Sequence, residues 1–151
     1  MKTIVLVSDN HGNRSVLKKI DGMYPAADHY LHCGDSLMDA SDLRPFVSVE
    51  GNCDREDFDL CRILEAEGHR IFMCHGHNFG NADLRTMSDA ARSQGCDLVF
   101  FGHLHRFVDE TLDGVRLINP GSCSFNKDSS RPCFALVEMT QEDVKVKRID
   151  L

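Results

Sequence analysis

No segment of this 151-residue chain approaches the about 20 consecutive apolar residues that span a bilayer, because charges or glycines break every hydrophobic run. The amino terminus, MKTIVLVSDNHG, offers only a short apolar stretch before Asp9 and His11, without the longer apolar region and small-residue cleavage site of a signal peptide. Both absences lead us to expect a cytoplasmic protein with no membrane association. Paired CxxC cysteines are missing as well: the seven cysteines (Cys33, Cys53, Cys61, Cys74, Cys96, Cys123 and Cys133) are odd in number and widely spaced. That disfavours a disulfide framework and a structural zinc site built from cysteine pairs, and leaves reduced thiols serving mostly as small hydrophobes in strands. A basic excess is lacking too. Lys and Arg total 17 against 24 Asp and Glu, a formal net charge of −7 at pH 7, which argues against binding a nucleic-acid duplex through clustered cations. A small anionic substrate stays open where bound metal supplies positive charge.

What is present reads as one domain over residues 1–151, with 42% hydrophobic and 27% charged residues, an ordinary globular balance. The run TIVLVS at 3–8 has the character of a buried strand entering a functional loop. A helix follows, capped by Asn13, with Val16, Leu17, Ile20 and Met23 at helical spacing before Pro25. A short strand near 28–33 and a third strand, FVSVEGN, come next. Residues 59–65 and 69–75 read as a hairpin turning at Glu67 and Gly68. A second helix carries Leu84, Met87 and Ala91 on one face and ends at Gly95, CDLVFFGHLH forms another strand, and the remainder is β-rich with turns at Asp113-Gly114 and near Gln141-Glu142. Strands alternating with helices, then consecutive strands, indicate an α/β domain with a mixed sheet.

Polar residues gather where the strands end. Five segments, Asp9-Asn10-His11, Gly34-Asp35, Gly51-Asn52-Cys53-Asp54, His75-Gly76-His77 and Gly102-His103-Leu104-His105, each place a metal ligand beside a glycine or at a strand end. In extended backbone, residues two apart share a side, so Asp9 with His11, and His103 with His105, are each expected to converge on one centre. Imidazole, carboxylate and amide oxygen without thiolate suit Mn, Fe, Zn, Ni or Co. Seven ligands (Asp9, His11, Asp35, Asn52, His75, His103 and His105) overfill one four-coordinate site, whereas two centres bridged by Asp35, each with three further ligands, use them all. His29, His32 and His69 read as solvated or structural, and His77 as a loop residue or a support for a ligand. Arg14, Arg55 and Arg106 neighbour the ligand segments and could grip a phosphate, although a solvated arginine is the commoner state.

SDNHG, CGD, GNCD, CHGH and GHLH resemble, in order, the D-x-H, GD, GN, His and GHxH segments of the calcineurin-like metallophosphoesterases. The resemblance runs from Thr3 to Ser122, and with NPGS at 119–122 the chain is similar to the small prokaryotic phosphodiesterase branch. It implies a single-domain αββα sandwich of two mixed β-sheets flanked by helices. It implies two divalent cations, Mn2+ foremost with Ni2+, Fe2+, Zn2+, Co2+ or Mg2+ as substitutes. One would sit on Asp9, His11 and His105, the other on Asn52, His75 and His103, with Asp35 bridging. Asp35, Asn52, His75 and His103 are then the catalytic candidates. The implied activity is hydrolysis of phosphodiester bonds in a small substrate by a metal-activated water. Many members of the family have a histidine after the GN pair, thought to protonate the leaving group, and here Cys53 takes that place. Asp54 is expected to orient a neighbour. The alternatives are a phosphomonoesterase, or a protein-binding scaffold like the retromer small subunit, which shares the fold after losing ligands; all seven positions here remain filled. The sequence does not give the oligomeric state; a homodimer is possible on the frequency of two-fold assemblies alone.

Overall fold

In β1 (Lys2–Val7) every residue from Ile4 onward is buried, so the strand has two faces to cover. Ile4 and Leu6 enter one cluster of buried side chains, Val5 and Val7 another, as period-two alternation requires. The structure, a computed structural model, describes residues Met1–Leu151. α1 (Arg14–Met23) starts where the Asn13 side chain accepts from the Val16 amide at 3.2 Å, and it buries Leu17 and Ile20. β2 (His29–His32) pairs parallel with β1, and β3 (Val47–Ser48) parallel with β2. Between them lies α2 (Ala40–Leu43), invisible in the sequence because four residues establish no periodicity. β4 (Cys61–Ala66) and β5 (His69–Cys74) form the expected hairpin. α3 (Leu84–Ser93) is capped by Asp83, which accepts from the Thr86 amide at 3.0 Å, and is followed by Gly95 at φ +72°. β6 (Leu98–Phe100), β7 (Phe107–Leu112), β8 (Val115–Pro120), β9 (Cys133–Met139) and β10 (Val144–Asp150) complete the chain.

The strands assemble into two five-stranded mixed sheets, ordered β10-β9-β1-β2-β3 and β4-β5-β6-β8-β7. Ile4, Leu6 and Leu31 of the first meet Ile71, Met73, Phe100 and Ile118 of the second in the central core. On the outer face of the first sheet, Leu17, Ile20 and Leu43 cover Val5, Val7 and Phe134. On the outer face of the second, Met87 and Ala91 cover Phe72, Val99 and Leu117. These are the α, β, β and α layers of the expected sandwich. Full burial of each Ile, Leu or Phe contributes about 1.5–3 kcal/mol, so the strand ends are fixed supports for whatever follows them. No helix is long and apolar enough to cross a membrane, and all seven cysteines are free.

Two strands are shorter than their apolar runs. In FVSVEGN only Val47–Ser48 lies in the sheet, since the amide of Val49 makes a last bond to the His32 carbonyl and that of Glu50 turns to Asp59 instead. In CDLVFFGHLH the sheet takes Leu98–Phe100, after which the Gly102 amide crosses to the His75 carbonyl at 3.0 Å. Both departures deliver the chain to the same place.

Candidate metal centre

β1, β2 and β3 run parallel in one sheet, and β5, β6 and β8 in the other. Asp9 and His11 follow β1, Asp35 follows β2, Asn52 follows β3, His75 follows β5, and His103 and His105 follow β6. All seven candidate ligands therefore meet at the carboxyl edge of the sandwich, where open α/β sheets place their sites. The loops are tied to one another: the Asp9 amide donates to the Gly34 carbonyl at 3.0 Å and the His11 amide to the Asp35 carbonyl at 3.1 Å.

The Asp9 carboxylate lies at the middle. Its Oδ1 is 3.3 Å from His105 Nε2, 3.7 Å from His11 Nε2 and 3.9 Å from His75 Nε2. Asp35 Oδ2 lies 3.3 Å from His75 Nε2 and 3.8 Å from His11 Nε2, so it too reaches both sides. Asn52 Oδ1 is 3.0 Å from His75 Nε2 and 3.1 Å from His103 Nδ1. Asp9, His11 and His105 form one group of ligand atoms within 4.8 Å of each other, and Asp9, Asp35 and His75 another. Asn52 and His103 extend the second group. Convergence through extended backbone is corrected here: Asp9, His11, Asp35, His103 and His105 all have left-handed φ, between 45° and 71°. As a result His103 and His105 face different groups rather than sharing one.

The residues fit divalent cations. Asp9 Oδ1 is buried and makes no hydrogen bond, a state that a cation would relieve. The glycines permit the closeness of the loops: a Cβ at Gly34 would come within 2.7 Å of His75 Nδ1 and 2.9 Å of the Gly51 amide, and one at Gly51 would collide with the Asp35 carboxylate. The donor set is that of a borderline transition metal.

A further ring of contacts aims the candidate ligands. His75 Nδ1 bonds the Cys33 carbonyl at 2.7 Å, His105 Nδ1 the Phe125 carbonyl at 3.1 Å, and His103 Nε2 the Asn81 side-chain oxygen at 2.5 Å. The Asp54 carboxylate accepts from the amides of Asp35 at 2.9 Å, Gly51 at 2.8 Å and Leu37 at 3.0 Å, the orienting role expected for it. The hydroxyls of Ser122 and Ser124 both donate to the Asp9 carbonyl at 2.8 Å. Of these supports only Asp54 and the NPGS segment stood out in the sequence.

Among the other histidines, His32 is buried, with Nε2 on the Asn10 side chain at 2.8 Å and Nδ1 accepting from the Gly34 amide at 3.0 Å; burial pushes its pKa down to about 4. His69 bridges Asp97 and the Thr140 carbonyl, and His29 is exposed. None of the three belongs to either candidate group of ligand atoms, and His32 instead braces the loops that carry Asp9 and Asp35. The His77 ring lies 5.4 Å from that of His75, and its Nδ1 is buried without a hydrogen bond. Arg14 pairs with Asp42 at 3.2 Å, Arg55 lines an adjacent cleft, and Arg106 is exposed.

Burial raises the Asp9 carboxyl, but the imidazoles of His105, His11 and His75 outweigh it and hold the group well below the usual carboxylate range. Asp35 is lowered in the same way, against its own burial, by His75. His11 is raised chiefly by the Asp9 carboxylate 3.7 Å away, while His103 is lowered by burial and by the neighbouring charge on His75. Burial and then the Asp35 carboxylate push the Cys53 thiol up, which keeps it protonated. This edge is thus an anionic floor walled by imidazoles, a surface suited to cations first and to an anionic ligand only through them.

Residues 1–142 match the calcineurin-like phosphoesterase superfamily domain, and the chain belongs to that superfamily. The probable metallophosphoesterase YsnB of Bacillus subtilis (strain 168) is 32% identical over 152 residues, covering 97% of this chain and 90% of its own. The phosphodiesterase YfcE of Escherichia coli (strain K12) is 26% identical over 146 residues, covering 89% and 71% respectively. A solved structure of a predicted phosphoesterase from Streptococcus pneumoniae TIGR4 matches with a TM-score of 0.90 at 25% identity, covering 99% of this chain and 89% of the other. Within the superfamily, this chain is a metal-dependent phosphoesterase.

Proposed function

We propose that the chain hydrolyses phosphodiester bonds in a small substrate with the help of two divalent cations, Mn2+ foremost. Asp9, His11 and His105 would hold one, Asn52, His75 and His103 the other, with Asp35 between them. The observation that carries this reading is the buried, unpartnered Asp9 Oδ1 set between imidazoles from three loops. When bound, a pair of dications supplies Lewis acidity toward phosphoryl oxygens and acidifies a water nucleophile.

The chain's own residues hold that machinery in register. His75 is fully buried, and with Nδ1 committed to the Cys33 carbonyl its Nε2 is directed into the site. Asp35 is held by its own amide on Asp54 and by the Cys53 amide, which donates to Asp35 Oδ1 at 2.8 Å. With its thiol pKa raised, Cys53 is a poor proton donor to a departing alkoxide. Esters with good leaving groups, or protonation by water or His77, are therefore expected. A diester substrate is supported by the likeness to the Escherichia coli phosphodiesterase. Free thiols at all seven cysteines support a cytoplasmic site of action.

The test is hydrolysis of bis(4-nitrophenyl) phosphate by protein loaded with Mn2+. Asp35→Ala and Asn52→Ala should each abolish turnover, and near wild-type activity in both would overturn the two-cation reading.

A further inference from the structure

A cleft of about 440 Å3 opens beside the metal centre, lined by Leu37, Met38, Asp39, Cys53, Arg55 and Glu56. Its volume falls in the range of small-ligand sites, and its walls continue directly from the ligand loops. Cys53 follows Asn52 in the chain, and its amide is bonded to Asp35. The Asp54 carboxylate that receives the Asp35 amide also receives the amide of Leu37. One side chain thus fixes a candidate metal ligand and a cleft wall together, which holds the cleft in a set position relative to Asp35.

The chemistry of the lining is selective. Leu37 is 46% exposed and has φ +56°, a left-handed conformation that a leucine adopts only when its surroundings impose it. The bond to Asp54 imposes it here, and the outcome is an aliphatic side chain presented to solvent at the cleft. Met38 adds apolar surface, its sulfur accepting from the Asn10 side chain at 3.3 Å while the side chain packs against the core beneath. Arg55 is exposed and makes no ion pair or side-chain hydrogen bond, which leaves its planar guanidinium available to stack on a ring. Glu56 is committed to the Ala40 amide at 3.1 Å, whereas the Asp39 side chain caps nothing and can accept from an N–H or O–H of a ligand. Two carboxylates against one guanidinium make the cleft unfavourable for a second phosphate.

We infer that this cleft is the specificity site for one ester group of the phosphodiester, and that this group is aromatic, an aryl or nucleoside moiety, rather than glyceryl or polyphosphate. The inference rests on the phosphodiesterase reading above. Leu37, Met38 and Arg55 grip the ring, and Asp39 receives a donor on its edge.

The experiment uses the full chain loaded with Mn2+, bis(4-nitrophenyl) phosphate as substrate, and two non-hydrolysable inhibitors, benzylphosphonate and ethylphosphonate. Wild type should bind benzylphosphonate roughly fivefold or more tightly than ethylphosphonate. Leu37→Asn, which removes the aliphatic group while tolerating the left-handed backbone, and Arg55→Gln should each close that gap and raise KM for the diester. The Ki of ethylphosphonate, which reaches only the metal centre, should move less than about twofold. No gap in wild type, or a gap that both variants leave intact, would overturn the specificity site. Failure of wild type to turn over the diester at all would instead overturn the phosphodiesterase reading beneath it.

Discussion

The two ends of the sandwich use the same unusual backbone for opposite purposes. At the end away from the site, Glu67-Gly68 and Asp113-Gly114 take left-handed φ (52° and 80°, 51° and 80°) to close the β4–β5 and β7–β8 hairpins. Such two-residue turns require positive φ at both positions, and the local sequence supplies a glycine to meet it. At the site end, Asp9, His11, Asp35, Leu37, His103 and His105 occupy that region without being glycine. There the conformation is imposed from a distance by the Asp54 carboxylate, by the hydroxyls of Ser122 and Ser124, and by amides crossing between sheets. One end spends its turn residues on chain reversal. The other stores backbone strain against the buried core so that the candidate ligand side chains point at a common space.

That contrast can be broken by substitution. The largest effect is expected for Asp35→Ala and Asn52→Ala, with hydrolysis lost and the fold retained by circular dichroism. Asp54→Ala should come next. It touches no proposed ligand atom, yet it frees the Asp35, Leu37 and Gly51 amides together, so Mn2+ affinity measured by calorimetry should fall about 10- to 100-fold. If affinity is unchanged, remote restraint of the site loops is the wrong explanation for their geometry. Replacing Ser122 and Ser124 with Ala removes one buried and one half-buried hydrogen bond to the Asp9 carbonyl, each contributing about 1 kcal/mol, and should lower both Tm and Mn2+ affinity by smaller amounts. Gly114→Ala, at φ +80° with open space around it, should lower stability by about 1–2 kcal/mol in urea denaturation while leaving kcat/KM intact. A loss of activity equal to its loss of stability would join the two ends that the contrast separates.

The smallest effect concerns His69, which ties the hairpin end to Asp97 and Thr140. Burial lowers its pKa, but the Asp97 carboxylate and the Thr140 carbonyl outweigh this and raise it above the ordinary 6.5. A raised imidazole contributes stability below about pH 6.5 that disappears as pH rises through the folded-state value. The Tm difference between wild type and His69→Gln should accordingly be greatest under mildly acidic conditions and shrink towards alkaline pH.

The sequence made the strand-and-turn grammar readable where local chemistry decides it: Asn13 at the start of α1, Gly95 after α3, and the glycines of both hairpins. The candidate ligands were readable for the same reason, since Asp9, His11, His103 and His105 are named by the motif itself. How they converge was not. The expectation of extended backbone placed His103 with His105, and the left-handed turns separate them, because φ at those positions depends on partners many residues away. Carbonyl supports such as Cys33 on His75 and Phe125 on His105 leave no trace in composition, as any residue carries that oxygen. The cleft beside Cys53 likewise depends on where Asp54 pulls Leu37.

The most direct measurement is metal content by elemental analysis of the purified chain after loading with Mn2+, taken together with turnover of bis(4-nitrophenyl) phosphate before and after chelation. Two Mn2+ per chain, with activity lost on chelation and restored on reloading, is the predicted result. One tightly held zinc with no turnover in any divalent metal would contradict it.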